Sequence, residues 1–213
     1  MRFADILRAL IDFFCKRGIS IRITIPIKEW TGHTKPMNTN KPTWIVIHHS
    51  KSKDGATQNW DSIRRYHMSY RHNGNMVDKE TFERLQRESV GGLEEPWSDI
   101  GYHIGIEMVN GKLEVLHGRS LHTAGAHAIG FNDRSIGVCL IGDYDREPPS
   151  PERLALLASV CRELQRQFSI PRDQVIGHRE TYPLLSKTVA KSCPGYQFNL
   201  IEFRKQLIDV NVV

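Results

Sequence analysis

Along the chain, stretches with the apolar spacing of a strand alternate with stretches that have the apolar spacing of a helix. Short apolar runs, several of them strictly alternating, predict strands at 44–50, 100–108, 112–116, 135–142 and 174–177. Apolar residues at helical spacing predict helices at 60–70, 151–168 and 199–208, with a short helix near 81–87. Because helices follow strands in this order, the pattern indicates an α/β fold.

Turn and capping residues add detail to the pattern. Asn110 and Gly111 separate two strand patterns and predict a two-residue hairpin loop. Pro151 opens the long helix, and Pro171 lies beyond its end. The polar stretch 71–98 is predicted to be an excursion from the core, which either walls a substrate site or is a neutral insertion.

The first 42 residues differ in pattern from the rest. Residues 2–17 place apolar side chains at helical spacing, and residues 19–27 alternate strictly, which predicts an N-terminal helix-strand extension. We therefore divide the chain into residues 1–42, the extension, and residues 43–213, a single main domain. The helix packs on that domain in the simplest interpretation, and contact with a partner or a surface is the alternative.

Composition narrows the class of protein. A chain of 213 residues is long enough for one sizeable α/β domain. A net charge of +5 suits an anionic partner, although ordinary solubility explains it equally well. The basic residues are scattered and form no nucleic-acid motif, so nucleic acid is not expected. No apolar stretch reaches the roughly 18 residues of a membrane span and no signal peptide is evident, so we expect a protein made in the cytoplasm without a transmembrane segment.

Residues that could bind a metal lie at the ends of two predicted strands and in the segment that follows the second. The strand at 44–50 delivers His48 and His49 to opposite faces, so only one of them can easily serve a given site. The strand at 174–177 ends in His178, and Cys193 follows fifteen residues later. Two imidazoles and a thiolate are a natural zinc set that leaves a fourth position for water or substrate. The alternative makes His178 an ordinary loop residue and Cys193 a small buried apolar side chain.

Six motifs in one order resemble a known family. They are I-H-H-S (47–50), G-Y-H (101–103), H-T-A-G-A-H-A-I-G-F-N (122–132), S-I-G-V-C-L-I-G (135–142), G-H-R-E (177–180) and K-S-C-P-G (191–195). Together, over about residues 43–208, they resemble the zinc-dependent N-acetylmuramoyl-L-alanine amidases, which include phage amidase lysozymes and peptidoglycan recognition proteins. The resemblance implies a central mixed β-sheet flanked by helices and a zinc ion in a groove that binds peptidoglycan.

The resemblance also implies roles for individual residues. Zinc would be held by His48, His178 and Cys193. The catalytic pair would be Tyr102 and Lys191. The groove would be lined by His127 and Asn132. The expected reaction is hydrolysis of the amide between N-acetylmuramic acid and L-alanine by an endolysin-like enzyme that reaches the wall after release or export.

The sequence departs from the family pattern in three places. Residues 71–98 are longer than the usual connection, the gap from His178 to Cys193 is also long, and Cys139 stands where some relatives carry a catalytic glutamate. Two other functions stay open. One is a peptidoglycan-binding module without hydrolysis, against which the complete ligand set argues, and the other is a zinc peptidase that cuts within the stem peptide. The oligomeric state is not indicated.

Overall fold

The computed structural model of the protein describes residues 39–52, 59–188 and 191–209. The strands in these ranges are β1 (Trp44–His49), β2 (Arg71–His72), β3 (Asn75–Met76), β4 (Leu93–Glu94), β5 (Ile104–Val109), β6 (Lys112–His117), β7 (Ser135–Leu140) and β8 (Val175–Gly177). The α-helices are α1 (Trp60–His67), α2 (Lys79–Arg87), α3 (Pro151–Phe168), α4 (His178–Leu184) and α5 (Leu200–Arg204), with a 3-10 helix at Arg172–Gln174. The predicted N-terminal helix and strand, at 2–17 and 19–27, lie outside the described residues.

A mixed five-stranded sheet forms the centre of the described ranges, in the order β6-β5-β7-β1-β8. β5 and β6 are antiparallel, and the other neighbours are parallel. β7 is buried along its whole length, as expected for a parallel strand covered on both faces. The central mixed sheet flanked by helices is thereby confirmed.

The side chains of β1 alternate between two apolar layers. Ile45 and Ile47 belong to the largest core cluster, which includes the buried residues of α3, such as Leu157 and Leu164. Val46 points the other way and packs in a second cluster with Phe131. The predicted alternation of β1 is therefore confirmed, and it decides which histidine faces the site.

Two predicted elements have the expected local chemistry. Asn110 and Gly111 both have positive φ, 51° and 77°, as a two-residue hairpin loop of type I′ requires. Helix α3 begins at Pro151, and the side chain of Ser150 accepts a hydrogen bond from the amide of Arg153. It ends before Ser169, whose φ of 54° is left-handed. The hairpin and the 151–168 helix are confirmed.

Other element boundaries differ from the prediction. β5 begins at Ile104 rather than at residue 100, and the carbonyl of Ile100 accepts a hydrogen bond from the side chain of Arg119. The C-terminal helix is α5, Leu200–Arg204, and is shorter than the predicted 199–208. None of the described helices is long and apolar enough to cross a membrane.

The 71–98 excursion folds into a small antiparallel sheet, β3-β2-β4, beside α2. It is anchored by Arg71, only 1% of which is exposed. The Arg71 guanidinium donates to the carbonyls of Tyr66 and His67 and pairs with Glu94. It also lies about 5 Å from the rings of Tyr66 and Trp97. The three short strands were not predicted, because two residues are too few to show a hydrophobic period.

The segment that enters β1 is fastened to the loop at 121–135. The amide of Asn40 donates to the carbonyl of His122, and its side chain donates to the carbonyls of Leu121 and Ser135, each at 2.9 Å. The buried Asn40 thus ties the chain before β1 to the start of β7. The division of the chain at residue 42 stays a prediction.

Candidate functional site

Three potential metal ligands meet at the carboxyl ends of two parallel strands. β1 pairs with β8, and Ile47 lies opposite Gly177. The residues that follow them, His48 and His178, therefore lie side by side. Their ring centroids are 4.6 Å apart. Crevices at the carboxyl ends of parallel strands are common ligand sites, because the loops there are free to carry side chains.

A loop brings the third ligand to this strand edge. The Sγ of Cys193 lies 3.6 Å from the Nδ1 of His48. One ligand atom from each of His48, His178 and Cys193 lies within 4.8 Å of the others. A metal ion with bonds of about 2.0–2.3 Å can bridge donors at such distances.

The ionisation of the three side chains suits a cation. Burial lowers the pKa of His48 well below its usual value and that of His178 to about 4, so both imidazoles are neutral and keep a lone pair. Burial raises the pKa of the Cys193 thiol to about 12. A bound cation would favour the thiolate strongly, because metals deprotonate the thiols that coordinate them. This donor set fits zinc, which accepts imidazole and thiolate together.

His127 orients the first ligand. Its Nδ1 lies 3.1 Å from the Nε2 of His48, so the Nδ1 of His48 is the nitrogen left to face Cys193. The His127 ring packs closely against two glycine residues. A Cβ added at Gly125 or Gly137 would lie only 2.3 or 2.6 Å from it, so glycine is required at both positions.

The catalytic candidates open onto the same cavity, of about 320 Å³. Its described lining residues are His48, His49, Lys51, Tyr102, His127, His178, Lys191, Ser192 and Cys193. The ring of Tyr102 lies 5.1 Å from that of His48. Burial raises the pKa of Tyr102 well above its usual value, so the phenol stays a hydrogen-bond donor near neutral pH. Lys191 is exposed, and its Nζ lies 5.6 Å from the ring centroid of Tyr182.

Asn132 lies apart from this group. Its Oδ1 accepts hydrogen bonds from the amides of His127 and Ala128, at 2.8 and 2.9 Å. The described cavity lining does not include it. The side chain therefore shapes the loop that carries His127. Contact of His127 and Asn132 with substrate stays a prediction.

The neighbouring histidines have structural partners. The Nδ1 of His49 accepts from the amide of Tyr144, on the opposite face of β1 from His48. His103 accepts from the amide of Gly137 at Nδ1 and donates from Nε2 to the carbonyl of Thr123. Strand alternation thus turns the rings of His48 and His49 toward different partners, as the sequence predicts, while both residues contribute to the cavity lining.

A sequence comparison decides the family. The sequence model described as N-acetylmuramoyl-L-alanine amidase matches residues 38–196, about three quarters of the chain. The chain belongs to this amidase family.

Its similar proteins include peptidoglycan-recognition proteins and phage endolysins. Peptidoglycan-recognition protein LB of Drosophila melanogaster is 29% identical over 153 residues, which cover 71% of this chain and 54% of that protein. The endolysin of Enterobacteria phage K11 is 31% identical over 108 residues, which cover 48% of this chain and 64% of that protein. Each match therefore spans less than two thirds of the relative's length.

A solved amidase structure shares the fold. N-acetylmuramoyl-L-alanine amidase LysC from Clostridium intestinale URNW superposes with a TM-score of 0.53 at 20% identity, over 88% of this chain and 97% of that chain. At this identity the likeness concerns the fold alone.

Three residues around the site in this amidase-family chain were not predicted. Lys51 lines the cavity and pairs with Asp145 at 3.3 Å. Tyr182 stacks on His178 at 5.6 Å, one helical turn along α4. Arg179 donates a hydrogen bond to the carbonyl of Ser192, in the loop at 191–199 that carries the third ligand and is called the Cys193 loop below. Their signals were weak, because each depends on where a neighbouring loop folds. Only the spacing of Tyr182 from His178 was visible in the sequence, and it is informative once α4 is known to begin at His178.

Proposed function

We propose that the protein is a zinc-dependent N-acetylmuramoyl-L-alanine amidase that acts on peptidoglycan in the manner of an endolysin. The observation that carries the proposal is the meeting of His48, His178 and Cys193 within 4.8 Å of one another, in a cavity also lined by Tyr102 and Lys191. Membership of the amidase family supports the choice of reaction. The bond broken would be the amide between the lactyl group of N-acetylmuramic acid and L-alanine.

The zinc ligands would be His48, through Nδ1, with His178 and Cys193. When bound there, zinc supplies a Lewis acid that lowers the pKa of water and polarises a carbonyl group. Three protein ligands leave a fourth position, which is the arrangement of catalytic rather than structural zinc sites.

Tyr102 and Lys191 would stabilise the charge that develops on the substrate. As water adds to the amide carbonyl carbon, the carbonyl oxygen gains negative charge. The neutral phenol of Tyr102 can donate a hydrogen bond to that oxygen, and the ammonium group of Lys191 adds positive charge beside it. The C–N bond then breaks, the amine of L-alanine leaves with a proton from the added water, and the lactyl group keeps the water oxygen as part of its new carboxylate.

Two other functions use the same groove. Peptidoglycan recognition without hydrolysis would need binding groups but no complete donor set. A zinc peptidase that cuts within the stem peptide would need the same donors but a different placement of the substrate. The convergence of His48, His178 and Cys193 within 4.8 Å of one another supports a metal-dependent hydrolase over a binding module.

Digestion of purified muropeptides, followed by mass spectrometry, tests the proposal. We expect products that have gained one water and carry a new amino-terminal alanine, and we expect a chelator to stop their formation and zinc to restore it. A new amino terminus further along the stem would identify a peptidase. Binding with no change in mass, in zinc-loaded protein, would identify a recognition module. Either result would overturn the amidase proposal.

A further inference from the structure

We infer that Arg179 is a positioning residue that holds the Cys193 loop in register with His178, so that the three donors can meet. The inference deepens the proposed function and rests on its metal site. It concerns how the third ligand is placed, which neither the family match nor the ligand set explains.

Arg179 contacts main-chain carbonyls on both sides of Cys193. Its backbone amide donates to the carbonyl of Cys193 itself, at 2.7 Å. Its Nη1 donates to the carbonyls of Ser192 and Gly195, at 3.0 and 2.6 Å, and its Nη2 donates to that of Phe198, at 3.0 Å. One residue therefore binds four carbonyl groups in a span of seven residues.

The loop needs these donors because it has little regular structure. Residues 191–199, all of them described, form turns but neither helix nor strand. Partly enclosed carbonyl groups in such a segment must find donors outside a backbone ladder. A guanidinium group offers five N–H donors in a rigid plane and can serve several carbonyls at once, whereas an ammonium group is a compact point charge.

The position of Arg179 in the chain couples two ligands. It follows His178 directly, at the start of α4, and β8 delivers both residues to the strand edge. Hydrogen bonds to Arg179 therefore fix the position of the loop relative to His178, the residue that directly precedes Arg179. Metal sites need their ligands within about 0.5 Å of the working geometry. Loss of these hydrogen bonds should therefore weaken metal binding.

Asp145 is a second anchor of the same loop. It accepts hydrogen bonds from the Oγ of Ser192, at 2.9 Å, and from the amide of Tyr196, at 3.1 Å. With this anchor in place, loss of the Arg179 guanidinium should displace the loop without releasing it. The expected effect is weaker metal binding in a folded protein.

Arg119 provides a matched control on the other side of the cavity. Its guanidinium also binds three carbonyls, those of Ile100, Ala124 and Asp99, at 2.7, 2.8 and 3.2 Å. These carbonyls lie beside Tyr102 and the His127 loop, and none belongs to a proposed ligand or its loop. Arg119→Lys therefore reproduces the general cost of losing such a guanidinium without disturbing Cys193.

The test compares the wild type with Arg179→Lys, Arg179→Gln and Arg119→Lys in two metal measurements. Zinc affinity is measured by competition with a chelator. Replacement of zinc by Co²⁺ gives a thiolate-to-cobalt charge-transfer band that reports the Cys193 bond. Near-ultraviolet circular dichroism in chelator checks the fold of each variant.

We expect both Arg179 variants to bind zinc about 10- to 100-fold more weakly and to show a reduced charge-transfer band. Arg119→Lys should keep the wild-type affinity and band. Wild-type affinity and band in the Arg179 variants would overturn the inference, and so would equal losses in Arg119→Lys. If both Arg179 variants are unfolded while Arg119→Lys is folded, Arg179 is a general stability residue and the inference is wrong.

The same measurements separate this inference from the proposed function. A wild-type protein that binds cobalt without a thiolate band would refute the ligand set itself. A wild-type protein that shows the band, loses it in the Arg179 variants and yet hydrolyses no muropeptide would support the positioning role and overturn the amidase activity.

Discussion

The two sides of the cavity are built in different ways. The donor side, defined by His48, His178 and Cys193, rests on strand register and on hydrogen bonds to main-chain carbonyls. The tyrosine side consists of Tyr102 and the aromatic rings behind it. The ring of Tyr102 lies 5.9 Å from His67 and 6.3 Å from Trp60, and that of His67 lies 4.5 Å from Trp97.

The excursion at 71–98 belongs to the tyrosine side. Trp97 donates its amide hydrogen to the carbonyl of His67, and the Nδ1 of His67 accepts from the amide of Gly101, next to Tyr102. The donor side lies at the carboxyl ends of β1 and β8, and none of its three donors is a partner in these hydrogen bonds. Substitutions on the tyrosine side should therefore lower turnover without loss of metal, whereas substitutions on the donor side should lower both.

The largest expected effect is that of Cys193→Ser on the donor side. A serine hydroxyl stays protonated near neutral pH and is a poor zinc ligand, so we expect zinc affinity to fall by at least about 100-fold and hydrolysis to be lost. Elemental analysis after dialysis measures the zinc content. Cys161→Ser is the control, because Cys161 is buried in the core cluster around α3 and should affect stability alone. Normal zinc content in Cys193→Ser would show that the ligand set is wrong.

Tyr102→Phe should separate the two sides most clearly. Removal of one hydrogen-bond donor to a developing oxyanion costs about 10²–10³-fold in kcat. We expect that loss with unchanged zinc content, measured as muropeptide turnover beside elemental analysis. Tyr66→Phe is the matched control, since its hydroxyl donates to the carbonyl of Gly74 on the exposed excursion. Full turnover in Tyr102→Phe would exclude the proposed role.

Arg71→Met tests whether the excursion supports the tyrosine side. The substitution keeps bulk but removes the guanidinium hydrogen bonds to the carbonyls of Tyr66 and His67 and the ion pair with Glu94, so the free energy of unfolding should fall by roughly 2–4 kcal/mol. Urea unfolding measures the change, and zinc affinity should stay the same in the folded protein. Arg84→Met, which breaks an exposed pair with Glu88, should change stability by less than about 0.5 kcal/mol. A loss of zinc affinity in Arg71→Met would contradict the separation of the two sides.

The smallest expected effect is a pH dependence of the metal-free protein. Burial lowers the pKa of His103 to about 4, whereas the unfolded chain takes up a proton on this residue near 6.5. The unfolded state therefore binds more protons between these values, and stability falls as the pH drops. For His103 we expect a loss of about 2 kcal/mol between pH 7 and pH 5 in urea unfolding with chelator present. His103→Gln should show a flatter profile, and a wild type with constant stability over this range would contradict the assignment.

Local patterns in the sequence were sufficient to predict several elements. The helix at 151–168 has its start and end where the sequence places Ser150, Pro151 and Pro171, because capping and proline chemistry act within one turn. The hairpin at Asn110 follows from the backbone conformation that its two loop residues can adopt. Alternation in β1 was also sufficient to separate His48 from His49, since successive strand residues face opposite ways.

What lies beyond one turn or one strand was decided by tertiary structure. His48 and Cys193 are 145 residues apart in sequence and lie 3.6 Å apart in the fold. The register of β1 with β8 and the hydrogen bonds that Arg179 and Asp145 make to the loop around Cys193 are contacts between distant parts of the chain. The contact of His127 with His48 depends on the small volume of Gly125 and Gly137, which are distant from each other in the chain. Residue types and motif order indicated which side chains could bind a metal, because chemistry belongs to the residue. Their distances, protonation and supporting contacts belong to the fold, because each depends on burial and on partners that no local pattern specifies.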